Sequence, residues 1–516
     1  MNTNETHAMF CRQCQETAGN FGCTKIGVCG KNPVTAGLMD ELIARLEDLA
    51  TVKAPSRDLA RFVTAALFMT LTNANFDDDR LRRVIVDAEQ MLGRSPLNKK
   101  PKAFGDADPN ERSLKELVLF GLKGVAAYRH HAAVLGKENE ELDAFVLRAL
   151  KQICRRTTVT ELSRLALECG RQAVAAMALL DNANTSAYGN PMVTRVDLGV
   201  GTRPGILVSG HDLRDLEELL EQSQDAGIDI YTHGEMLPAH YYPELRKYPH
   251  LKGNYGGAWY RQQGDFAAFN GVILMTTNCL VPVSAAYRDR IFTTGVAGYP
   301  GVPHIPDRIK GRPKDFSAVI ARAKRCAPPK ELETGDIVGG FAHSQVLALK
   351  DRIVAAVKAG RIRQFIVMAG CDGRHTTRDY YTRVALALPN DAVILTAGCA
   401  KYRYIKVVKG EIDGIPRVLD AGQCNDAYSL VRIALALRDA LDVTSVNELP
   451  LEFDIAWYEQ KAVAVLLALL SLGFRNIRIG PTLPAFLSSD IVQVLTERFG
   501  LRGIGSVDED VCAMTS

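Results

Sequence analysis

The apolar periodicity changes near Asn190-Pro191, and that change limits the possible folds more than any other feature of the chain. From about Leu38 to Ala183 glycine is scarce and apolar residues recur at helical spacing, with Leu38, Leu42, Leu46 and Leu49 forming one stripe. Ser56 precedes a second helix holding Phe62, Ala66 and Met69. Ser113 with Glu116, and Thr158 with Glu161, have capping-box spacing ahead of long apolar-periodic stretches. The Pro/Lys-rich stretch 95–103 reads as a loop. Beyond residue 190 short β-branched runs take over: GILVS at 205–209, IDIYT at 228–232, GVILMTT at 271–277, DIVGGF at 336–341, QFIVMA at 364–369, AVILTA at 392–397, RVLDA at 417–421 and NIRIG at 476–480. Helical patterns at 213–226, 344–359, 426–441 and 460–472 lie between some of them. Such alternation predicts doubly wound α/β layers. At ~150 residues per domain the 516 residues suggest about three domains. The expected organisation is multidomain α + α/β: an all-α helical bundle over 1–190, a first α/β domain over 191–335 and a second over 336–516.

Composition narrows the partners. The net charge is +3, with 47% apolar and 23% charged residues, so neither nucleic acid nor an anionic membrane is expected as a partner, and wholesale disorder is excluded. The longest nearly apolar run, 462–474, is too short to span a bilayer. The opening MNTNETHAMF lacks the basic and apolar regions of an export signal, so a cytoplasmic chain is expected. In that setting disulfides explain twelve cysteines poorly, which leaves metal ligation, redox chemistry or ordinary burial.

In open α/β sheets ligands sit beyond the carboxyl ends of the strands. Seven potential donors fall there: His211 after GILVSG, Glu235 after IDIYTHG, Cys279 after GVILMTTN, Cys371 after QFIVMAG, Cys399 after AVILTAG, Cys424 after RVLDAGQ, and Glu459 after LEFDIAWY. Each has an ordinary explanation taken singly, as a small buried hydrophobe or a first-turn helix acid. Their shared position points to one site. Four thiolates alone suit zinc or an ordinary iron–sulfur cluster; imidazole and two carboxylates add harder donors that suit iron. The set is too large for one tetrahedral zinc and points to a multi-iron cluster with sulfur and oxygen bridges.

A second, separate set opens the chain: Cys11-x2-Cys14-x8-Cys23-x5-Cys29, spaced by Gly19, Gly22 and Gly27 that let the chain wrap closely. Four thiolates in 19 residues make a metal site, and both zinc and an electron-transfer iron–sulfur cluster accept four Cys. Arg12, Lys25 and Lys31 would partly offset its charge. Cys154, Cys169, Cys326 and Cys512 lie in helical, Pro-flanked or terminal contexts and read as structural. The chain shows no G-x-G-x-x-G fingerprint, Walker motif, haem attachment or nucleophile elbow, so a reductive chain would draw electrons from a separate donor protein, a reductase or a ferredoxin-like carrier.

The sequence resembles the hybrid cluster proteins, also called prismane proteins or hydroxylamine reductases. The likeness runs from MFCRQCQETAGNFGCTKIGVCGK through SGHDL, YTHGEMLPAH, GNYGGAW, MTTNC, RIFTTG, GCDG, AGCAKYR, DAGQCNDAY and WYEQKA, across essentially the whole chain. The resemblance implies a helical domain followed by two Rossmann-like α/β domains. It implies that Cys11, Cys14, Cys23 and Cys29 hold a [4Fe-4S] cubane, in the short-spaced class of the family. It also implies that His211, Glu235, Cys279, Cys371, Cys399, Cys424 and Glu459 hold a hybrid 4Fe–2S–2O cluster, with Cys371 matching a residue that carries an extra sulfur as a persulfide. No ligand position departs from the family pattern, and the central helical insertion of some members is not seen.

The implied reaction is two-electron reduction of hydroxylamine to ammonia and water, with Glu459 and Lys461 as candidates for proton delivery. Two rivals follow from the same resemblance: reduction of nitric oxide under nitrosative stress, and transfer of nitroso groups to partner thiols. The family also resembles carbon monoxide dehydrogenases in fold, although these ligands do not imply nickel.

Overall fold

The computed structural model describes residues 9–98, 100–105, 108–309 and 311–516. The stretch in which no export signal is expected lies outside the described residues except for Met9 and Phe10, and so does Lys99 of the 95–103 loop. Six α-helices come first: α1 (Pro33–Val52), α2 (Arg57–Met69), α3 (Asp78–Leu92), α4 (Pro109–Val134), α5 (Glu140–Ile153) and α6 (Val159–Tyr188). Their starts follow capping chemistry. Ser56 accepts from the Leu59 amide, and Thr158 with Glu161 forms a complete capping box. Ser113 and Glu116 do not. Asp108 caps α4 with Pro109 at its first position, so both residues lie inside the helix, where the Glu116 carboxylate pairs with Arg12 and Arg112.

The helices do not close on themselves. Helix Gln460–Ser471, from the far end of the chain, packs against both α4 and α6. Its apolar face, with Leu466, Leu467 and Leu470, joins one core with α1–α6 and with the second sheet. The approach is close because the facing positions have no side chain. A Cβ on Gly124 would lie 2.7 Å from the Gln460 carbonyl oxygen, and one on Gly170 would lie 2.1 Å from that of Leu467.

The first sheet holds β1 (Thr194–Asp197), β2 (Gly205–Ser209), β3 (Asp229–His233), β4 (Leu251–Asn254), β5 (Val272–Met275), β6 (Ile291–Thr294), β7 (His304–Ile305) and β8 (Asp336–Gly339), in the order β7-β6-β5-β2-β3-β4-β1-β8. All neighbours are parallel except β8, which runs antiparallel to β1 with Thr194 opposite Gly339. The run at 336–341, grouped in the sequence with the second α/β layer, therefore closes the first sheet. The next strands are β9 (Gln364–Val367), β10 (Ala392–Thr396), the ribbon pair β11 (Glu411–Ile412) and β12 (Ile415–Pro416), β13 (Val418–Asp420), β14 (Leu451–Ala456), β15 (Ile477–Gly480) and β16 (Arg502–Gly503). The second sheet is fully parallel, in the order β13-β10-β9-β14-β15-β16.

Numbered along the chain, the second sheet has strand order 3-2-1-4-5-6, and so does the first once β1 and β8 are set aside. That is the order of doubly wound dinucleotide-binding folds, in which the crevice opens where the winding reverses. The reversal lies between β2 and β5 in one sheet and between β9 and β14 in the other. Strands β2, β3, β5 and β10 are buried along their whole length, as parallel strands covered on both faces must be. No helix among the described residues is long and apolar enough to cross a membrane.

Gly170→Ala places a methyl group against a helix carbonyl that cannot retreat from a close-packed core. It should destabilise the protein by about 1–3 kcal/mol, read as a lowered denaturation midpoint.

Candidate metal centre

The loops at the two winding reversals carry four of the seven donors: His211 after β2, Cys279 after β5, Cys371 after β9 and Glu459 after β14. The neighbouring strands β3, β10 and β13 deliver Glu235, Cys399 and Cys424. A local device recurs at these strand ends. Gly210, Gly234, Gly370 and Gly398 have φ of +107°, +58°, +107° and +93°, and each immediately precedes a donor. At Gly370 and Gly398 even a methyl group would collide with backbone, 2.1 Å from the Ala456 oxygen and 2.3 Å from the Gly370 oxygen. The turn thus needs glycine both for its backbone conformation and for space.

All seven donors line one cavity at the facing ends of the two sheets. Within it, ligand atoms of His211, Glu235 and Cys424 lie within 4.8 Å of one another. His211 Nε2 is 3.2 Å from Cys424 Sγ and 3.8 Å from Glu235 Oε2, which accepts the Cys424 amide at 2.6 Å. The Thr277 hydroxyl accepts the His211 backbone N–H at 3.0 Å and sits 3.0 Å from Nδ1. It can pass its own proton to the Asn278 carbonyl at 3.1 Å, which places the imidazole proton on Nδ1 and turns the Nε2 lone pair into the cavity. Burial, then Lys461 and His131, holds His211 well below the ordinary imidazole range.

Burial pushes the thiols of Cys279, Cys399 and Cys424 up, and that of Cys371 to about 12. It also raises the Glu459 carboxyl. The positive charge facing them is Lys461, 1% exposed, whose Nζ lies 3.0 Å from His211 Nε2, 3.4 Å from Asn425 Oδ1 and 4.0 Å from Glu459 Oε1. Burial works against that charge, but Cys424, Glu459, Cys279 and Glu235 overcome it and raise the ammonium's pKa. The ammonium therefore stands where the donors converge on a cation. Glu235 Oε1 is buried with no protein partner, a further vacant valence for a metal. A soft-and-hard donor set around a buried cation suits a mixed sulfur–oxygen iron site. Glu459 is also the N-cap of helix Gln460–Ser471, accepting the Lys461 amide at 2.8 Å, so capping fixes its rotamer with one oxygen to spare.

The N-terminal cysteines form a second cluster of donors. Cys11 and Cys23 exchange backbone hydrogen bonds at 3.0 and 2.8 Å, and all four thiols line one open cavity. Gly22 makes room for Phe10, and Gly27 for the Cys29 sulfur, where a Cβ would come within 2.9 Å. Burial raises the Cys11 and Cys14 thiols, and at Cys14 the neighbouring Cys29 and Cys11 add to it. Of the three nearby cations, Lys31 is buried and feels Cys29, Cys11 and Cys14; Arg12 is engaged by Glu116; Lys25 is exposed. Among the remaining cysteines, Cys169 is fully buried, Cys154 and Cys326 donate to helix carbonyls, and Cys512 is exposed.

Residues that strand-end position does not single out join the two sites. The Gln15 amide donates to the Tyr458 carbonyl at 2.9 Å, and the Tyr458 ring stacks on Trp259 at 4.5 Å. Arg378 donates to the Cys371 and Trp457 carbonyls and to Gln15 Oε1; Arg374 grips the Glu16 carboxylate. In the sequence these residues leave no trace beyond falling inside or near the blocks MFCRQCQETAGNFGCTKIGVCGK, GNYGGAW, GCDG and WYEQKA.

Comparison with known proteins bears on this arrangement. The family model described as Prismane/CO dehydrogenase family matches residues 9–512. A hydroxylamine reductase of Desulfovibrio desulfuricans is 54% identical, covering 98% of this chain and 99% of its own. One of Methanocaldococcus jannaschii is likewise 54% identical over 98% and 99%. Carbon monoxide dehydrogenase IV from Carboxydothermus hydrogenoformans shares the fold with a TM-score of 0.60 at 16% identity, covering 99% of this chain and 92% of that one. With a family match running nearly end to end and relatives identical at more than half their positions, the chain belongs to the Prismane/CO dehydrogenase family.

Proposed function

We propose that the chain is a cytoplasmic iron–sulfur oxidoreductase that reduces hydroxylamine by two electrons and two protons to ammonia and water. One observation carries this reading: seven donors of mixed hardness converge on a single buried cavity, with a four-thiol set hydrogen-bonded beside it. The name of the relatives supplies the substrate. In this reading Cys11, Cys14, Cys23 and Cys29 hold a [4Fe-4S] cluster, and His211, Glu235, Cys279, Cys371, Cys399, Cys424 and Glu459 hold a hybrid 4Fe–2S–2O cluster, with Cys371 as a persulfide. The domain division of a helical unit over 1–190 followed by two Rossmann-like units is part of the same proposal, and free thiols throughout suit a reducing compartment.

When bound, the second cluster supplies Lewis-acid polarisation of the N–O bond and electrons for its cleavage. The chain's own residues do the rest. Thr277 holds His211 in one tautomer, and the N-cap bond holds Glu459 in one rotamer. Lys461 Nζ, 3.0 Å from His211 Nε2 and 4.0 Å from Glu459 Oε1, is the group placed to carry a proton for the departing oxygen. Tyr458 and Trp259, stacked between the two sets of cysteines, exclude water and give a packed route for electrons from a separate donor protein.

A second reading, nitric oxide reduction, is favoured by one feature. An almost wholly apolar cavity under helix Gln460–Ser471 has Cys371, Cys424 and Lys461 in its lining, which suits a small neutral gas. Steady-state rates with hydroxylamine and with nitric oxide, at equal enzyme and with one protein donor, decide between them. Much lower efficiency with hydroxylamine gives the site to the gas.

Anaerobically purified protein should contain roughly eight iron per chain, as two four-iron clusters require. Zinc with little iron overturns the proposal. Glu459→Gln keeps the volume but removes a hard anionic donor; it should fold, keep the N-terminal cluster's EPR signal and lose most hydroxylamine reduction. If Glu459 only caps its helix, that variant keeps normal turnover and loses at most ~1 kcal/mol of stability. Thr277→Val frees the imidazole that the hydroxyl orients, and should cost ~10–100-fold in activity or iron retention at the second site.

A further inference from the structure

We infer that Lys401, Tyr402 and Arg403 act together as a clasp that positions three donors on three other loops; this rests on the reading of the seven donors as one metal centre. The three residues belong to the single 3₁₀ turn Cys399–Arg403. With ~3 residues per turn, successive side chains of such a turn point about 120° apart, so three consecutive residues can reach three different neighbours.

Each of them reaches a different donor loop. Lys401 Nζ donates to Asp420 Oδ1 and to the Gly422 carbonyl, both at 2.5 Å, at the base of the turn that carries Cys424. The same carboxylate accepts the Gly422 amide at 3.0 Å and the Tyr241 hydroxyl at 2.6 Å, and Tyr241 ends the turn Gly234–Tyr241 that contains Glu235. The Tyr402 hydroxyl donates to the carbonyl of Gly234 at 2.9 Å, the residue directly before Glu235. Arg403 Nε faces both oxygens of Asp372 at 2.8 and 2.9 Å, and its Nη2 donates to the Gly373 carbonyl at 3.1 Å, which fixes the loop just after Cys371. The Ala400 amide adds a bond to the Gly370 carbonyl at 3.0 Å.

Lys401 and Asp420 are 1% and 0% exposed, so this ion pair is dry, and removing either partner leaves a buried charge without compensation. None of the three side chains contributes a metal-binding atom in the donor set. They are positioning residues, holding Cys424, Glu235 and Cys371 at fixed distances from Cys399 before any cluster is loaded. Two loops of the second sheet and one of the first are thereby tied to a single turn, itself a loop of the second sheet.

The test uses the full chain, purified anaerobically, in two conservative variants. Tyr402→Phe keeps the ring and removes the hydroxyl that faces the Gly234 carbonyl and Asn254 Oδ1; Arg403→Lys keeps the charge and loses the planar fork. Iron and sulfide content, the EPR signal and midpoint potential of each site, and thermal unfolding are measured beside turnover. The clasp predicts an unchanged N-terminal signal and an unchanged unfolding midpoint. It also predicts an altered second-site signal that differs between the two variants, and ~10–100-fold lower turnover. A normal wild-type signal at the second site that both variants leave unchanged overturns the clasp alone. Loss of both sites' signals with a lowered unfolding midpoint also overturns it, in favour of a general structural role. A wild-type chain with no second iron signal overturns the functional reading and the clasp with it.

Discussion

Acidic side chains gathered in a place without water repel one another and resist ionisation, and the rest of this structure is arranged against that resistance. Burial raises every thiol of the second site, Cys371 to about 12, together with the Glu459 carboxyl. Left to themselves these groups would stay protonated and poor as ligands. Positive charge at their centre opposes this, and Lys461 already shows the sign of the effect, since its charge draws the Cys279, Cys371 and Cys424 thiols and the Glu459 carboxyl back down against burial. A multivalent metal centre would do so more strongly, with loss of protons from the thiols as it binds.

The donors can be held close only because the backbone beneath them is rigid. Two sheets whose central parallel strands share one winding order present their carboxyl ends to each other, and positive-φ glycines turn the chain abruptly at the strand ends. The remaining degree of freedom is the end of helix Gln460–Ser471, which carries Glu459 as its cap and Lys461 in its first turn. That helix lies against α4 and α6 at glycine contacts too close for any side chain. Its apolar burial, worth ~1.5–3 kcal/mol for each large side chain, fixes the carboxylate and the ammonium as a pair. Helices α4 and α6 thus act as a clamp on the helix end that reaches the seven-donor cavity.

The parts legible in the sequence are those whose physics is local. Central parallel strands are buried on both faces, so GILVS, VILM and AVILT stand out as nearly continuous apolar runs. Donor residues stand out because each follows such a run, often directly after glycine. Short strands such as β1 (TRVD) and β4 (LKGN) carry no such signature, because their pairing rather than their composition makes them strands. The sheet joined by β8 was equally hidden, since nothing in DIVG says which edge it will meet. Capping boxes show the same limit: Thr158 has no competitor upstream, whereas Asp108-Pro109 captures the start of α4 ahead of Ser113. Contacts such as Arg378 with Gln15 span 363 residues and leave no periodic trace.

The N-terminal cysteines read as an autonomous motif because they fall within 19 residues, but contiguity in sequence is not independence in structure. Turn bonds such as Thr17 N–H to the Cys14 carbonyl and Gly27 N–H to the Lys31 carbonyl shape the loop locally, and contacts from distant segments hold it from outside. Arg374 and Arg378, on the segment after Cys371, grip Glu16 and Gln15, and Gln460 Nε2 donates to the Gln13 carbonyl. The shortest connection is more direct still. Gln15, next to Cys14, donates its amide to the carbonyl of Tyr458, next to Glu459. One hydrogen bond and two residues of backbone therefore separate a donor of the first site from a donor of the second. In the proposed reading, the same short path is the one an electron would take from the first site to the second.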